Sequence, residues 1–267
     1  MNEREIQVLG MSRSGNHAVC NWIFAQADEP KLLLNCAEGK TDPFATCRPF
    51  STGEPGWRGV PDPGTAPEPG ARRALVMHSY EDSWFAHAFS RELETHHDAW
   101  LGASRRRVRL LILRDPYNLF ASRLKMGAAL STHVSRTMWK QHAREALGDT
   151  RRVEDKVVVL YNRWATQKDY RRDLAARLGL TFTDAGASDV PQTMGGSSFD
   201  GTAFDGRAAE MATRDRWRAY AHDPIYRAIF DPEMVSLATR LFGPPPAGLD
   251  LPRTDVGTEA VASGAGW

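Results

Sequence analysis

The sequence has few cysteines, almost no net charge and no long apolar run. Its three cysteines, Cys20, Cys36 and Cys47, lack CxxC spacing, which argues against a disulfide framework or a zinc site. The formal net charge is +1, so the basic excess typical of nucleic-acid-binding proteins is absent. No apolar stretch approaches the roughly 20 residues of a membrane-spanning helix, and no signal-peptide pattern precedes the first strand-like segment. We therefore expect a cytoplasmic protein that has no membrane span and no nucleic-acid partner.

The basic residues are mostly arginine. Of the 34 Lys and Arg residues, 28 are Arg. A planar guanidinium suits phosphate and sulfate oxygens better than an ammonium does, although codon bias in a GC-rich genome would produce the same excess. Because the net charge is so small, any anionic ligand must be held by a local group of these residues.

Short apolar runs alternate with helical patterns along the chain. The runs lie at 6–9, 74–77, 109–113 and 157–160, and the helical patterns at 16–26, 83–100, 116–130, 132–147 and 162–178. Continuous apolar runs are typical of central parallel strands that are covered on both faces. The alternation predicts an α/β fold, a doubly wound, mostly parallel sheet flanked by helices.

The remaining segments suggest one domain with irregular parts. Residues 53–70 contain five Gly and five Pro, which predicts a surface insertion within a single domain over 1–242. Two further helical patterns occur at 211–221 and 232–242. Residues 243–267 lack periodicity, and we expect them to form a flexible tail.

The first informative motif follows the first predicted strand. It reads Gly10-Met11-Ser12-Arg13-Ser14-Gly15-Asn16-His17 and leads into a helix. Glycines here let backbone N–H groups turn toward an anion, and the helix N-terminus adds partial positive charge. The GxxxxG spacing is that of a nucleotide-binding P-loop. However, Asn16 replaces the usual Lys and His17 replaces the Ser/Thr that binds magnesium. The loop therefore indicates a phosphate-type cradle, and the alternative is a plain glycine turn with an exposed Arg13.

The second motif is Arg114-Asp115-Pro116, with Ser122 eight residues after Arg114. It ends an apolar strand and begins a helix. Arg114 is expected at the ligand edge of the sheet, with Ser122 facing back from the second helical turn, so the pair could hold one phosphate by charge-assisted hydrogen bonds. The alternative is a surface pair of Arg114 and Asp115 with Ser122 in solvent.

Together the two motifs resemble the PAPS-dependent sulfotransferases, which use 3′-phosphoadenosine 5′-phosphosulfate (PAPS) and have a P-loop-like fold. Arg13-Ser14-Gly15-Asn16-His17 stands in the place of the family's Lys/Arg-Ser-Gly-Thr-Thr loop, and Arg114-Asp115-Pro116 with Ser122 matches its second motif. The loop is most similar to that of a bacterial branch with Arg-Ser-Gly-Asn-His. The strand that ends at Tyr161 and the loop 195–199 extend the likeness. Ala18 stands where many cytosolic members have an adenine-stacking Trp, and their Arg-Lys-Gly motif is absent.

The resemblance implies an enzyme that transfers a sulfuryl group from PAPS to a hydroxyl, or an amine, of a small-molecule, glycan or lipid acceptor. The product would be 3′-phosphoadenosine 5′-phosphate (PAP), and no metal would be required. Arg13 would contact the sulfuryl group, the backbone over 14–17 the 5′-phosphate, and Arg114 with Ser122 the 3′-phosphate. The other residues expected to bind the cofactor are Ser14, Gly15, Asn16, His17, Tyr161, Ser197 and Ser198.

The transfer also needs a base to take the acceptor's proton. His78 is the first candidate, because it ends the second predicted strand and a neutral imidazole accepts a proton near pH 7. Glu81 is the second, and His17 is expected to donate to a phosphate or sulfate oxygen. Two other functions stay open, a nucleotide or phosphometabolite kinase and a non-catalytic nucleotide-binding relative. The missing P-loop Lys argues against the kinase.

Overall fold

The computed structural model describes residues 1–35, 43, 72–127, 132–190 and 196–251. The predicted insertion at 53–70 and most of the predicted tail lie outside the described residues, as do Cys36 and Cys47. Cys20 is a buried free thiol.

One sheet of five parallel strands organises the described part of the chain. The strands are β1 Asn2–Gly10, β2 Lys31–Asn35, β3 Leu75–Glu81, β4 Ser104–Leu113 and β5 Lys156–Leu160. They lie in the order β2-β3-β1-β4-β5, and each neighbouring pair is parallel. This confirms the predicted doubly wound α/β sheet. Because all five strands run the same way, their carboxyl ends meet at one edge, where ligands collect in open parallel sheets.

Helices cover both faces of the sheet. The α-helices of the described segments include α1 Asn16–Gln26, α2 Phe85–Ala88, α3 Arg91–Leu101, α4 Pro116–Met126, α5 Thr132–Leu147, α6 Tyr161–Thr166, α7 Lys168–Leu178, α8 Pro224–Arg227 and α9 Pro232–Phe242. Ile6 and Val8 of β1 pack in one apolar cluster with α1 and α7, while Leu9 packs on the other face with residues of β3, α2 and α3. Successive side chains of a strand point to opposite faces, so this alternation fixes which residues share a layer.

Local sequence explains where the helices at the ligand edge begin and end. Asp115 caps α4 by accepting a hydrogen bond from the backbone N–H of Asn118 at 2.9 Å, and Pro116 occupies the first turn, as is favourable for a helix start. Gly127 and Gly179 adopt left-handed conformations after α4 and α7, which ends both helices.

Several element boundaries differ from the sequence prediction. Strand β2 was not predicted, and β3 continues to Glu81 instead of stopping near Ser79. The pattern over 162–178 forms two helices that meet at Gln167. The predicted helix over 211–221 is replaced by 3₁₀ turns at Ala208–Glu210 and Arg216–Tyr220. The longer β3 determines which side chains reach the ligand edge.

Candidate functional site

The loop between β1 and α1 adopts a strained, tightly packed turn. Arg13 has φ 73° and Gly15 has φ 91°, both in the left-handed region. A Cβ on Gly15 would lie 2.1 Å from Cε2 of Tyr161, so only glycine lets this ring pack on the loop. The first residue of α6 thereby fixes the shape of the loop.

Asn16 connects the loop to the end of β3. Its Nδ2 donates to the carbonyl of Met11 at 3.1 Å and to Oε1 of Glu81 at 2.8 Å. A Cβ on Gly10 would lie 2.1 Å from Oδ1 of Asn16, so the amide fits only against a glycine. Asn16 is therefore buried inside the turn, and the position where a P-loop has its Lys is used here to hold Glu81 beside the loop.

The N-terminus of α1 opens toward a cleft with no acidic residue in its first turn and no side-chain cap. The first N–H groups of a helix have no intrahelical acceptor, and together with the helix dipole they favour an anion. The N–H of Ser14 is the exception within the predicted cradle, because it donates to the carbonyl of Met11 at 3.0 Å. The amides available to a ligand thus begin at Gly15.

Arg114 extends from the end of β4 into the same cleft. Its Nη1 donates to the carbonyl of Arg13 at 3.0 Å and to the hydroxyl of Ser122 at a longer 3.4 Å, and its Nη2 donates to the carbonyl of Thr213. The guanidinium carbon lies 5.3 Å from the centre of the Tyr161 ring. The structure therefore brings Arg114, Ser122, Tyr161 and the loop together.

Arg216 joins this group from the 3₁₀ turn Arg216–Tyr220. Its Nη1 donates to Ser122 Oγ at 3.1 Å, its Nη2 donates to Ser197 Oγ at 2.8 Å, and the same Nη2 lies 3.3 Å from the carboxylate of Asp200. Burial, together with the positive charge of Arg114, lowers the pKa of Arg216 to about 10. The position of Arg216 costs electrostatic free energy that a bound anion would recover.

The cleft has an excess of positive charge. Four arginines line it, Arg13, Arg114, Arg214 and Arg216, against the carboxylates of Glu81 and Asp189. The Nε atoms of Arg13 and Arg216 are buried and have no hydrogen-bond acceptor among the described residues. Buried donors of this kind are normally satisfied. The guanidinium groups of Arg13 and Arg216 therefore each keep one donor that no described residue accepts from.

Glu81 and His17 occupy the cleft beside Arg13. Burial lowers the pKa of His17, and the charge of Glu81 acts in the opposite direction. His17 is thus a neutral imidazole at pH 7, with one N–H donor and one lone pair. A carboxylate and a neutral imidazole therefore face the cationic loop.

His78 lies outside the cleft. It shares a sheet face with Val76 and Tyr80, is 1% exposed, and stacks on His97 of α3 with ring centres 4.1 Å apart. Its Nε2 is 3.5 Å from Oε1 of Glu5. Because β3 runs three residues beyond it, His78 is enclosed between the sheet and α3 and does not line the cleft. The structure does not bring the first candidate base to the loop, whereas it does bring the second, Glu81.

The hydroxyls of the four predicted serines, Ser14, Ser122, Ser197 and Ser198, are buried or already hydrogen-bonded within the protein. Ser14 is fully buried, and its hydroxyl has no partner among the described residues. Ser198 is half-buried, and its hydroxyl oxygen is buried and likewise unpartnered there. Neither lines the cleft. Ser197 does, but its hydroxyl already bonds Arg216 and Asp200. Ser122 is fully buried behind the arginines that it contacts.

Sequence reasoning missed part of the site. Arg216 was not among the residues predicted for the site. The apolar half of the cleft was also not predicted, and it is lined by Ala18, Trp164, Ala165, Val190 and Met211. The described residues contain no group of three or more His, Cys, Asp or Glu side chains suited to a metal ion. Within the same ranges, no helix is both long and apolar enough to cross a membrane.

Comparisons with known proteins find a likeness to solved structures. No protein-family model matches the sequence, and no curated protein matches it significantly. Among solved structures, the chain is similar to the sulfotransferase domain from the olefin synthase of Synechococcus PCC 7002, with 16% identity and a TM-score of 0.35. The likeness covers 62% of this chain and 57% of the sulfotransferase domain. This chain therefore matches less than two thirds of that domain's length. At this level of similarity, function has to be argued from the cleft itself.

Proposed function

We propose that the protein is a sulfotransferase that moves a sulfuryl group from PAPS to a hydroxyl, or an amine, of a small-molecule, glycan or lipid acceptor. The observation that carries the proposal is the convergence of Arg13, Arg114 and Arg216 on one cleft at the carboxyl edge of the sheet, with Glu81 beside them. Three guanidinium groups suit a ligand with more than one phosphate or sulfate group.

The residues present fit such a ligand in two parts. The amides from Gly15 onward and Arg13 would hold the 5′-phosphosulfate end, because the helix N-terminus is open there. Arg114 and Arg216 would hold the 3′-phosphate, and Ser122 would set the spacing between their guanidinium groups. The apolar half, with Ala18 and Trp164, would take the base.

PAPS, when bound, supplies the sulfuryl group and a phosphate leaving group. The protein's own contribution is then positioning and electrostatics, as in phosphoryl transfer. Glu81 would take the proton of the acceptor hydroxyl at a carboxylate oxygen, while Asn16 orients that carboxylate through its 2.8 Å hydrogen bond. Arg13 would stabilise the negative charge that develops on the leaving side. His17, neutral at pH 7, would donate its N–H to an anionic oxygen.

The kinase alternative is less well supported by the cleft. In P-loop kinases a Lys reaches the terminal phosphates. Here Asn16 occupies that place, and its amide is already bonded to Met11 and Glu81. A loop without that cation is poorly suited to a triphosphate with magnesium.

Calorimetry with PAP and with ATP plus magnesium tests the proposal. We expect PAP to bind at least tenfold more tightly, because it alone places a phosphate at Arg114 and Arg216. Tighter binding of ATP with magnesium would favour the kinase. Tight PAP binding with no transfer of ³⁵S from labelled PAPS to any member of a panel of phenols, sugars and amines would favour a non-catalytic nucleotide-binding protein.

A further inference from the structure

A buried arginine behind the cleft connects the two segments that carry its reactive groups. Arg123 of α4 has a side chain that is 5% exposed. Its Nη1 donates to the Ser12 carbonyl at 3.1 Å and to the two carboxylate oxygens of Asp82 at 2.8 and 3.1 Å, and its Nη2 donates to Ser135 Oγ of α5 at 3.4 Å. Neither Arg123 nor Asp82 lines the cleft.

Asp82 is held in an unfavourable backbone conformation by these contacts. Its φ of 52° is left-handed, a region that non-glycine residues seldom occupy. Its N–H donates to the Gly10 carbonyl at 3.2 Å, and its Oδ1 accepts from the Ser12 N–H at 3.2 Å. Asp82 thus bonds to both ends of the turn that begins the loop, and Arg123 holds its carboxylate.

Arg123, Asp82 and Ser12 form a hydrogen-bonded clamp, and its residues Ser12 and Asp82 are direct chain neighbours of Arg13 and Glu81. Ser12 precedes Arg13, and Asp82 follows Glu81. A shift at either clamped residue changes the separation between the carboxylate of Glu81 and the guanidinium of Arg13. We propose that Arg123, acting through Asp82 and Ser12, is a positioning residue that keeps Glu81 and Arg13 aligned for reaction. The catalytic part of this inference rests on the proposed sulfuryl transfer, whereas the clamp itself does not.

The charges around Asp82 favour an arginine, and not a lysine, at position 123. Burial raises the pKa of Asp82, and the neighbouring Glu81 charge adds to that effect, while Arg123 opposes both. A single lysine ammonium could neutralise Asp82. It could not also reach the Ser12 carbonyl and Ser135 as the planar guanidinium does.

Amide hydrogen exchange tests the clamp independently of any activity. In the wild-type protein we expect slow exchange at the amides of Ser12 and Asp82, because both donate hydrogen bonds within the clamp. In Arg123→Lys, amide exchange at Ser12 should accelerate at least tenfold. The double variant Arg123→Met with Asp82→Asn should show the same acceleration, and it is included because Arg123→Met alone would leave Asp82 buried without its partner. The matched control is Arg136→Met, which removes another Arg–Asp pair, with Asp231, and should leave these amides unchanged. Wild-type exchange in either folded Arg123 variant would overturn the clamp.

Kinetics of the same variants test the positioning role. With labelled PAPS and 2-naphthol as acceptor, Arg123→Lys should lower kcat by about 10²-fold, as expected for a displaced reactive group, while the Kd of PAP changes less than threefold. An unchanged kcat, or a loss of PAP affinity as large as the loss of kcat, would contradict positioning. If the wild-type protein itself fails to bind PAP, the proposed function is wrong, and the exchange experiment still decides on the clamp.

Discussion

Ser122 accepts a hydrogen bond from Nη1 of Arg216 at 3.1 Å, although 94 residues separate them in the chain. The same hydroxyl lies 3.4 Å from Nη1 of Arg114. One buried serine therefore holds two guanidinium groups that belong to different parts of the sequence. The motif formed by Arg114 and Ser122 is completed by a residue that follows the last strand.

Arg216→Met should weaken PAP binding by on the order of 2 kcal/mol, or about 30-fold, because a charge-assisted contact to a partly buried phosphate is lost. Binding of adenosine 5′-phosphosulfate, which lacks the 3′-phosphate, should change little. Calorimetry with both ligands measures the difference. Arg218→Met is the matched control, since Arg218 is two residues away, exposed and paired with Asp215. Equal weakening for both ligands would remove Arg216 from the 3′-phosphate site.

Arg13→Gln should lower kcat strongly and change PAP affinity little. Arg13 is expected to interact with the sulfuryl group and with charge that develops only in the transition state, and PAP has no sulfuryl group. Steady-state kinetics with labelled PAPS, combined with PAP calorimetry, separate the two effects. A parallel fall in both would make Arg13 an ordinary phosphate ligand.

Glu81→Gln and His78→Asn should have opposite consequences. The first removes the proposed base but keeps an oxygen that can accept from Asn16, so turnover should fall by roughly 10²- to 10⁴-fold without loss of fold. The second changes a side chain buried between the sheet and α3. It should lower the melting temperature and leave kcat within a few fold. The reverse pattern would return the role of base to His78.

Stability should decline as the pH falls below about 6.5. Burial lowers the pKa of His97 to about 3 and that of His142 to about 4. The unfolded chain therefore takes up protons that the folded protein does not bind, and acid favours unfolding. Burial acts to raise the pKa of Glu5, but His78 and Arg107 lower it to about 2, so below its ordinary value of 4.5 protonation of Glu5 adds to the loss.

Urea unfolding at pH 7.5, 6 and 5 measures this dependence. His97→Gln should reduce the slope of unfolding free energy against pH by up to about 1.4 kcal/mol per pH unit below 6.5. Replacing the exposed His133 by Gln is the control and should leave the slope unchanged. A slope that His97→Gln does not alter would show that His97 titrates alike in both states.

The parts of the site at strand ends could be predicted from sequence. Arg114 follows an apolar run, which places it at the end of a strand. Ser122 lies eight residues later, in the second turn of the following helix, so its side chain faces back toward Arg114. Local sequence patterns are therefore enough to predict this pair. The loop was predictable for the same reason, since the glycines and the strand-to-helix transition are contiguous. Each of these inferences needs only neighbouring residues and the rule that parallel strands share one ligand edge.

The wrong or missing predictions concern features that depend on tertiary packing and not on the local sequence. The apolar run at 74–77 does not reveal that β3 continues to Glu81, and those further residues remove His78 from the edge. Lys31–Asn35 is too short for its periodicity to distinguish a strand from a helix. Arg216 lies within the pattern that predicted a helix over 211–221, and that pattern does not indicate that its side chain lies near Ser122.

A crystal structure with bound PAP tests the central claim most directly. We predict the 3′-phosphate within hydrogen-bond distance of both Arg114 and Arg216, and the 5′-phosphate at the amides from Gly15 onward. The side of that phosphate where sulfur would be attached should face Arg13 and Glu81. PAP bound outside this cleft, or with its 3′-phosphate away from both Arg114 and Arg216, would contradict the account.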